Sequence, residues 1–189
     1  MKIIVVEPHP DDAFLSLGWH LERLWKNEDR TILTVFADSK RTKEAEAYAS
    51  SIGAKSVVLG LEESKMLSSR PVRRISAIEE FFNGHGNKSK ERYDRILFPI
   101  GLQHPDHLDV AASRVPNSAR YLDTPYQTKQ KLADCLLEKV DGMIVGSLLF
   151  PPKTKWRKAA IFKSQSRFFY YNEKLYESLL PEMTLEFPP

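Results

Sequence analysis

The sequence has little cysteine and no long hydrophobic run. Its 189 residues include a single cysteine, Cys135, so no disulfide can form within the chain and a reducing compartment is indicated. No apolar stretch approaches the roughly 20 residues that a membrane-spanning helix needs. The first strand-like run begins at Lys2, which leaves no room for a secretory signal. We therefore expect a cytoplasmic protein that does not contact a membrane.

The sequence also lacks a strong net charge. It contains 28 Lys and Arg residues against 25 Asp and Glu residues, which gives a formal net charge of +3. The basic residues occur in small groups that a solvated surface explains, and contact with an anionic substrate is the alternative explanation. Because no known nucleic-acid-binding module is present, we expect no nucleic-acid partner. Length and composition predict one domain over residues 1–189.

A third absence concerns nucleotide cofactors. The first strand-to-helix turn, residues 7–12, has no Gly-x-Gly-x-x-Gly pattern and carries Asp11 and Asp12 instead. Two adjacent carboxylates would repel a pyrophosphate, so we expect no dinucleotide cofactor.

What the sequence does contain is an alternation of strand-like and helix-like segments. Runs of β-branched and apolar residues predict strands, and apolar residues at helical spacing predict helices between them. Because the strands are almost continuously hydrophobic, the order predicts an α/β fold with a Rossmann-like, mostly parallel sheet and helices on both faces. The predicted strands are 2–6, 31–37, 56–60 and 95–100, and the predicted helices are 15–25, 42–52 and a third from Pro71 onward.

The pattern after residue 110 is less regular. It predicts a short helix at 107–115, a fifth strand at 120–123, a strand or half of a hairpin at 140–150, a helix at 154–169 and an irregular tail at 181–189.

Two clusters of histidine and aspartate each follow a predicted strand. They are His9-Pro10-Asp11-Asp12 and His104-Pro105-Asp106-His107. Ligands bind at the carboxyl ends of the strands in an open parallel sheet, and imidazole and carboxylate are ligands that suit zinc or a similar divalent ion. Turn and capping roles would explain either cluster alone, but two such clusters at strand ends indicate a metal-dependent hydrolase.

The spacing within the clusters suggests a division of roles. His9 and Asp12 are three residues apart on a turn and can converge on one ion, while Asp11 between them can act as the base that takes a proton from water. One histidine of the second cluster would complete three ligands, and the other would face the substrate. Asp106 would orient an imidazole.

These paired clusters, with Gly18 in the helix after the first, resemble the LmbE-like, or PIG-L, family of N-acetylglucosaminyl deacetylases. The resemblance covers residues 1–112, includes the segments 41–46 and 52–54, and returns weakly at 158–165. It implies a Rossmann-like fold and removal of acetyl from an N-acetylated amino sugar or sugar conjugate. It also implies that Zn²⁺ is held by His9, Asp12 and His107, with Asp11 as general base, His104 as electrostatic stabiliser or acid, and Asp106 in support.

The chain departs from the family pattern at two positions. Ala13 stands where the family usually has Glu, and Lys163 stands where a histidine is common. The part from 113 to 189 is matched poorly and is expected to shape the substrate pocket, so the substrate is the least determined feature.

Two further residues are candidates for substrate binding. Arg41 follows the second predicted strand, and an ion pair with Glu44 or Glu46 is its alternative role. Asp38 on the same loop could line the pocket or cap the next helix.

Other functions stay open at this point. They are a metal-dependent amidase or esterase with a non-sugar substrate, a catalytically silent ligand-binding relative, and a nucleotide-binding regulator. The sequence also leaves a homo-oligomer open.

Overall fold

The computed structural model describes residues 1–63, 71–84, 92–101, 104–123, 143–149, 161–165 and 182–186. Within these residues the chain forms one mixed sheet of seven strands with helices packed on it. The strands are β1 (Lys2–Glu7), β2 (Asp29–Phe36), β3 (Lys55–Leu61), β4 (Arg95–Pro99), β5 (Ser118–Tyr121), β6 (Ile144–Leu149) and β7 (Glu182–Glu186). The helices are α1 (Asp12–Trp19), α2 (Ser39–Ser51), α3 (Pro71–Asn83) and α4 (Pro105–Ala111).

The order of the strands in the sheet is β3-β2-β1-β4-β5-β7-β6. Every pair of neighbours from β3 to β5 in this order is parallel. β7 runs antiparallel to both β5 and β6. β1 and β4 are adjacent, with Val5 opposite Leu97. The turns that leave these two strands therefore lie side by side at one edge of the sheet, and they carry the two His/Asp clusters.

Helices cover both faces of the sheet. On one face, Phe14 of α1 and Tyr48 of α2 pack into a core with Leu97, and all three side chains are buried. On the other face, Ile78 of α3 and Val110 of α4 pack into a second core. The side chains of residues 3–6 of β1 pack alternately into the two cores, and all are fully buried. Burial on both faces explains why the strand is continuously hydrophobic. The prediction of an α/β fold with a mostly parallel sheet is confirmed.

Several predicted boundaries were wrong. α1 starts at Asp12 and continues into a π-helical turn at His20–Leu24, so it is not one helix over 15–25. α4 starts at Pro105 because the His104 side chain accepts a hydrogen bond from the backbone N–H of Asp106 and caps the helix. Proline at the first helical position suits such a start.

The largest correction concerns the end of the chain. Glu182–Glu186, predicted as irregular tail, is a strand inserted between β5 and β6. The sequence did not predict this strand because its buried residue Glu182 is an acid. The Glu182 carboxylate accepts hydrogen bonds from the backbone N–H groups of Trp19 and His20 and from the His20 ring, at 2.8–2.9 Å.

The late helix predicted at 154–169 is also wrong where it can be compared. Residues Lys163–Gln165 form a 3-10 turn, and the rest of that prediction lies outside the described residues, as does Cys135. In the described part of the chain, no helix combines the length and the hydrophobicity that crossing a membrane requires.

Candidate metal and catalytic site

The two clusters meet at the carboxyl edge of the sheet. The His9 ring, from the turn after β1, lies 5.4 Å from the His107 ring and 5.1 Å from the His104 ring, measured between centroids. His9, Asp12 and His107 each offer a ligand atom, and these atoms lie within 4.8 Å of one another. Their side chains are 7%, 4% and 1% exposed, so the group is nearly closed to solvent.

One carboxylate oxygen lies at the centre of this group. Asp12 Oδ2 is 3.3 Å from His9 Nδ1 and 3.2 Å from His107 Nε2, and it also accepts the backbone N–H of His9 at 2.8 Å. The backbone hydrogen bond closes the turn and fixes the direction of the carboxylate. The two imidazoles therefore present these nitrogens to the same small volume.

The outer nitrogens of both rings contact other carboxylates. His9 Nε2 is 3.0 Å from Asp106 Oδ2, and His107 Nδ1 is 3.1 Å from Asp123 Oδ2. An outer carboxylate of this kind fixes the orientation of a metal-ligating histidine and makes its other nitrogen a better ligand. The donor set, two imidazole nitrogens and one carboxylate each fixed from behind, fits a divalent cation with room for further ligands.

The electrostatics of the group favour positive charge. Burial disfavours the charged form of all three side chains, but the mutual attraction of carboxylate and imidazole is stronger here. It holds the pKa of Asp12 well below its usual range, and it raises the pKa of His9 to about 9 and of His107 to about 10. The carboxylates thus create a place for positive charge that protons or a metal cation can fill.

Asp11 lies beside the group and points to Arg41. Its Oδ1 is 3.2 Å from Arg41 Nη2, and its side chain is 9% exposed. Burial, with the neighbouring charge of Asp12, raises the pKa of Asp11 to about 6. At neutral pH this carboxylate is ionised yet more basic than an ordinary aspartate, which suits a group that accepts a proton.

Arg41 and Asp38 have different positions in the structure. Arg41 forms ion pairs with Asp11 and Glu63, so the alternative pairing with Glu44 or Glu46 was wrong. Asp38 is exposed and caps α2 by accepting the backbone N–H groups of residues 40 and 41 at 2.9 and 2.8 Å. The structure therefore brings Arg41 to the site, while the carboxylate of Asp38 is used at the start of the helix.

His104 lies at the more open side of the site, with a side chain that is 34% exposed. Its Nδ1 accepts the backbone N–H of Asp106 at 3.2 Å, so the proton of the neutral ring is on Nε2. Burial and the nearby His9 lower the pKa of His104. This histidine is therefore a neutral N–H donor at neutral pH rather than a cation.

Neither of the two positions that depart from the pattern of the resembled family, Ala13 and Lys163, belongs to a candidate ligand group. Ala13 is fully buried in the core, and its backbone N–H donates to the Glu7 carboxylate at 2.8 Å. Burial raises the pKa of Glu7 to about 8. Lys163 is exposed, while its neighbour Ser164 donates its backbone N–H to Glu44 of α2 at 2.7 Å.

Sequence reasoning missed two residues of this site. Asp123 follows β5, so its position after a strand was a usable signal. Nη1 of Arg74, on α3, lies 3.4 Å from Asp106 Oδ1 and 3.0 Å from Asp109 Oδ2. No sequence pattern indicated this residue.

No family model and no curated protein matches the chain. Among solved structures, it is similar to a triple mutant of a deacetylase involved in the teicoplanin biosynthetic pathway, with a TM-score of 0.70 and 16% identity over 98% of this chain and 97% of the other. It is also similar to the 4-carboxy-2-hydroxymuconate hydratase of Pseudomonas putida, with a TM-score of 0.58 and 13% identity over 100% and 97% of the two chains. These similarities establish that this chain shares an α/β fold with each of the two proteins over nearly the whole length of both chains compared.

Proposed function

We propose that this protein is a metal-dependent hydrolase that removes an acetyl group from an N-acetylated amino sugar or sugar conjugate. The observation that carries the proposal is the convergence of His9, Asp12 and His107 beside the more basic carboxylate of Asp11. A Zn²⁺ ion held by these three ligands is the simplest occupant of the donor set. The substrate is a small molecule, and the protein acts in the cytoplasm without nucleic acid or membrane.

The similarity to a deacetylase supports this proposal, because the two proteins share the fold over nearly the whole of both chains. The similarity to a hydratase means that the fold alone does not select the reaction. The choice of amide hydrolysis rests on the placement of a base, a donor and three ligands around one volume.

The residues have distinct tasks in this reaction. His9, Asp12 and His107 would hold a divalent cation, which when bound would supply Lewis-acid chemistry to a carbonyl oxygen and would lower the pKa of water towards neutrality. Asp11 would take a proton from the attacking water and pass it to the amine nitrogen as the C–N bond breaks, so that acetate and the free amine leave. Arg41 holds the Asp11 carboxylate in place. His104 would donate a hydrogen bond from its Nε2–H to the oxyanion that develops on the acetamide carbonyl. Asp106 and Asp123 keep the two ligand rings in orientation.

A combined measurement of metal content and acetate release tests the proposal. We expect about one Zn²⁺ per chain and acetate release from an N-acetylglucosamine conjugate, as a three-ligand catalytic zinc site would give. Asp11→Asn should lower the rate by about 10²–10⁴-fold while the metal stays bound. Asp29→Asn, a charge-matched change at the exposed start of β2, should leave both unchanged.

Substrate panels separate the remaining possibilities. Acylated amines without a sugar, and esters, test the non-sugar amidase or esterase, and an unsaturated acid tests a hydratase. Binding without turnover indicates a catalytically silent relative. A metal-free protein whose activity is the same in wild type and Asp11→Asn overturns the proposal.

A further inference from the structure

A cavity of about 830 Å³ lies at the edge of the sheet opposite to the candidate metal site. It is lined by Met1 before β1, by the start of β4, by the segment 111–120 that leads from α4 into β5, and by the end of β7. Since β1, β4 and β5 are parallel, these first residues lie at the edge away from the His/Asp clusters. The volume is in the range of roughly 300–1,000 Å³ that small-molecule pockets occupy.

Three arginines line this cavity, and one of them is neutralised. Arg95 forms an ion pair with Glu186, and its guanidinium lies 5.3 Å from the centre of the Trp25 ring. Arg114 and Arg120 have no ion pair within the part of the chain that the structure describes. The two guanidiniums therefore bring positive charge to the cavity.

The other charged groups at the cavity are occupied. Asp94 accepts the backbone N–H of Lys2 at 2.7 Å, and the amino terminus of Met1 forms an ion pair with Glu28 at 2.6 Å. The Glu79 carboxylate accepts the backbone N–H of Arg114 at 2.8 Å, but among the described residues no carboxylate forms an ion pair with the guanidinium of Arg114 or Arg120.

Arg120 is fixed in position without a full set of acceptors. Its guanidinium lies 5.3 Å from the centre of the Phe98 ring, and its Nη1 is buried with no acceptor among the described residues. Burial lowers the pKa of Arg120, and the charge of Asp123 opposes that shift only in part. A guanidinium that is partly removed from water in this way favours an anionic partner.

A hydroxyl in the same wall is also unsatisfied. Ser113 is 1% exposed, and its Oγ has no hydrogen-bond partner among the described residues. Its backbone N–H donates to Val110 at 3.2 Å, so the turn after α4 fixes this residue beside the cavity. Buried polar groups have a hydrogen-bond partner in most proteins, so the unpaired Arg120 Nη1 and Ser113 Oγ leave room at this wall for a partner from a water or a ligand.

We propose that this cavity binds a small molecule through an oxyanion, either a phosphoryl group or a carboxylate, held by Arg114 and Arg120 beside Ser113. The planar fork of an arginine matches both groups with two parallel hydrogen bonds. The site is separate from the candidate metal site and does not depend on the proposed hydrolysis.

Isothermal titration of the whole protein with pyrophosphate and with citrate, at constant ionic strength, tests the site. We expect saturable binding of at least one probe, and binding at least about tenfold weaker in Arg120→Gln. Binding of pyrophosphate alone identifies a phosphoryl site, and binding of citrate alone identifies a carboxylate site. Because Arg120 is partly buried, the exposed Arg114→Gln provides a second variant that should also bind more weakly.

Two controls complete the experiment. Lys43→Gln makes the same change of charge at an exposed position of α2 and should bind like wild type. Asp12→Asn, which alters the candidate metal site, should also bind like wild type. Absence of saturable binding, equal affinity of wild type and both arginine variants, or loss of binding in Asp12→Asn overturns the proposal.

Discussion

Replacing Asp123 by asparagine tests whether the outer carboxylates prepare the site for a cation. Asp123 is 1% exposed, and its Oδ2 lies 3.1 Å from both His107 Nδ1 and the backbone nitrogen of Gly101. Asparagine keeps the size of the side chain and one carbonyl oxygen, but it removes the charge. The change therefore acts on the basicity and orientation of His107 without opening a cavity.

The magnitude follows from these contacts. Loss of the carboxylate behind a metal-ligating histidine typically lowers metal affinity by about 10–100-fold. That corresponds to about 1.4–2.7 kcal/mol. In the metal-free protein, where His107 carries a raised pKa, the lost charge-assisted hydrogen bond should reduce the free energy of unfolding by about 1.5–3 kcal/mol.

Two measurements separate these effects. Competition with a chromogenic chelator gives the Zn²⁺ affinity, and urea unfolding of the metal-free protein gives the stability. Asp29→Asn is the control for the change of charge. The reasoning is refuted if Asp123→Asn binds Zn²⁺ as tightly as wild type, because the outer carboxylate would then have no influence on the ligand.

Three further predictions concern stability and positioning. Gly101→Ala should lower the free energy of unfolding, measured in urea, by about 1–3 kcal/mol, because Gly101 has φ +81° and the added Cβ would lie 2.5 Å from the Cβ of Ala111. Glu182→Ala should cost about 3–5 kcal/mol in the same assay, since it leaves the buried His20 ring and two N–H groups without their carboxylate; a loss under about 1 kcal/mol would contradict this. Arg74→Gln should strengthen Zn²⁺ binding by up to about tenfold with little loss of helical circular dichroism, because it removes a positive charge that neutralises Asp106 and Asp109 beside the site.

The sequence predicted the meeting of the two clusters because that meeting depends only on strand order. Apolar runs identified β1 and β4, and in a doubly wound sheet the chain crosses back after β3 and places β4 beside β1, at the point where ligands bind. Their ends then lie side by side, so His9 and His107 came together as expected. Which residues hold the metal stays a prediction until a metal is measured.

Contacts that depend on exact packing could not be predicted in the same way. Arg74 reaches the site only because α3 packs beside α4, and a helical pattern gives no information about its neighbour. β7 was missed for a related reason: strand patterns assume apolar buried positions, and Glu182 is buried through its hydrogen bonds with the end of α1. Tertiary hydrogen bonding decided both cases.

The charge balance of the site connects its geometry to a divalent cation. Carboxylates outnumber guanidiniums there. Four carboxylates face only Arg41 and Arg74, and each of these arginines is shared with a further carboxylate, Glu63 or Asp109, so negative charge is in excess when the imidazoles are neutral; the four are Asp11, Asp12, Asp106 and Asp123. The raised pKa values of His9 and His107 are the response of the metal-free site to this excess. A divalent cation carries the same charge as two protons, and it leaves both imidazoles neutral, which is the form in which they coordinate a metal. The same carboxylates that hold protons on the rings thus favour their replacement by one ion.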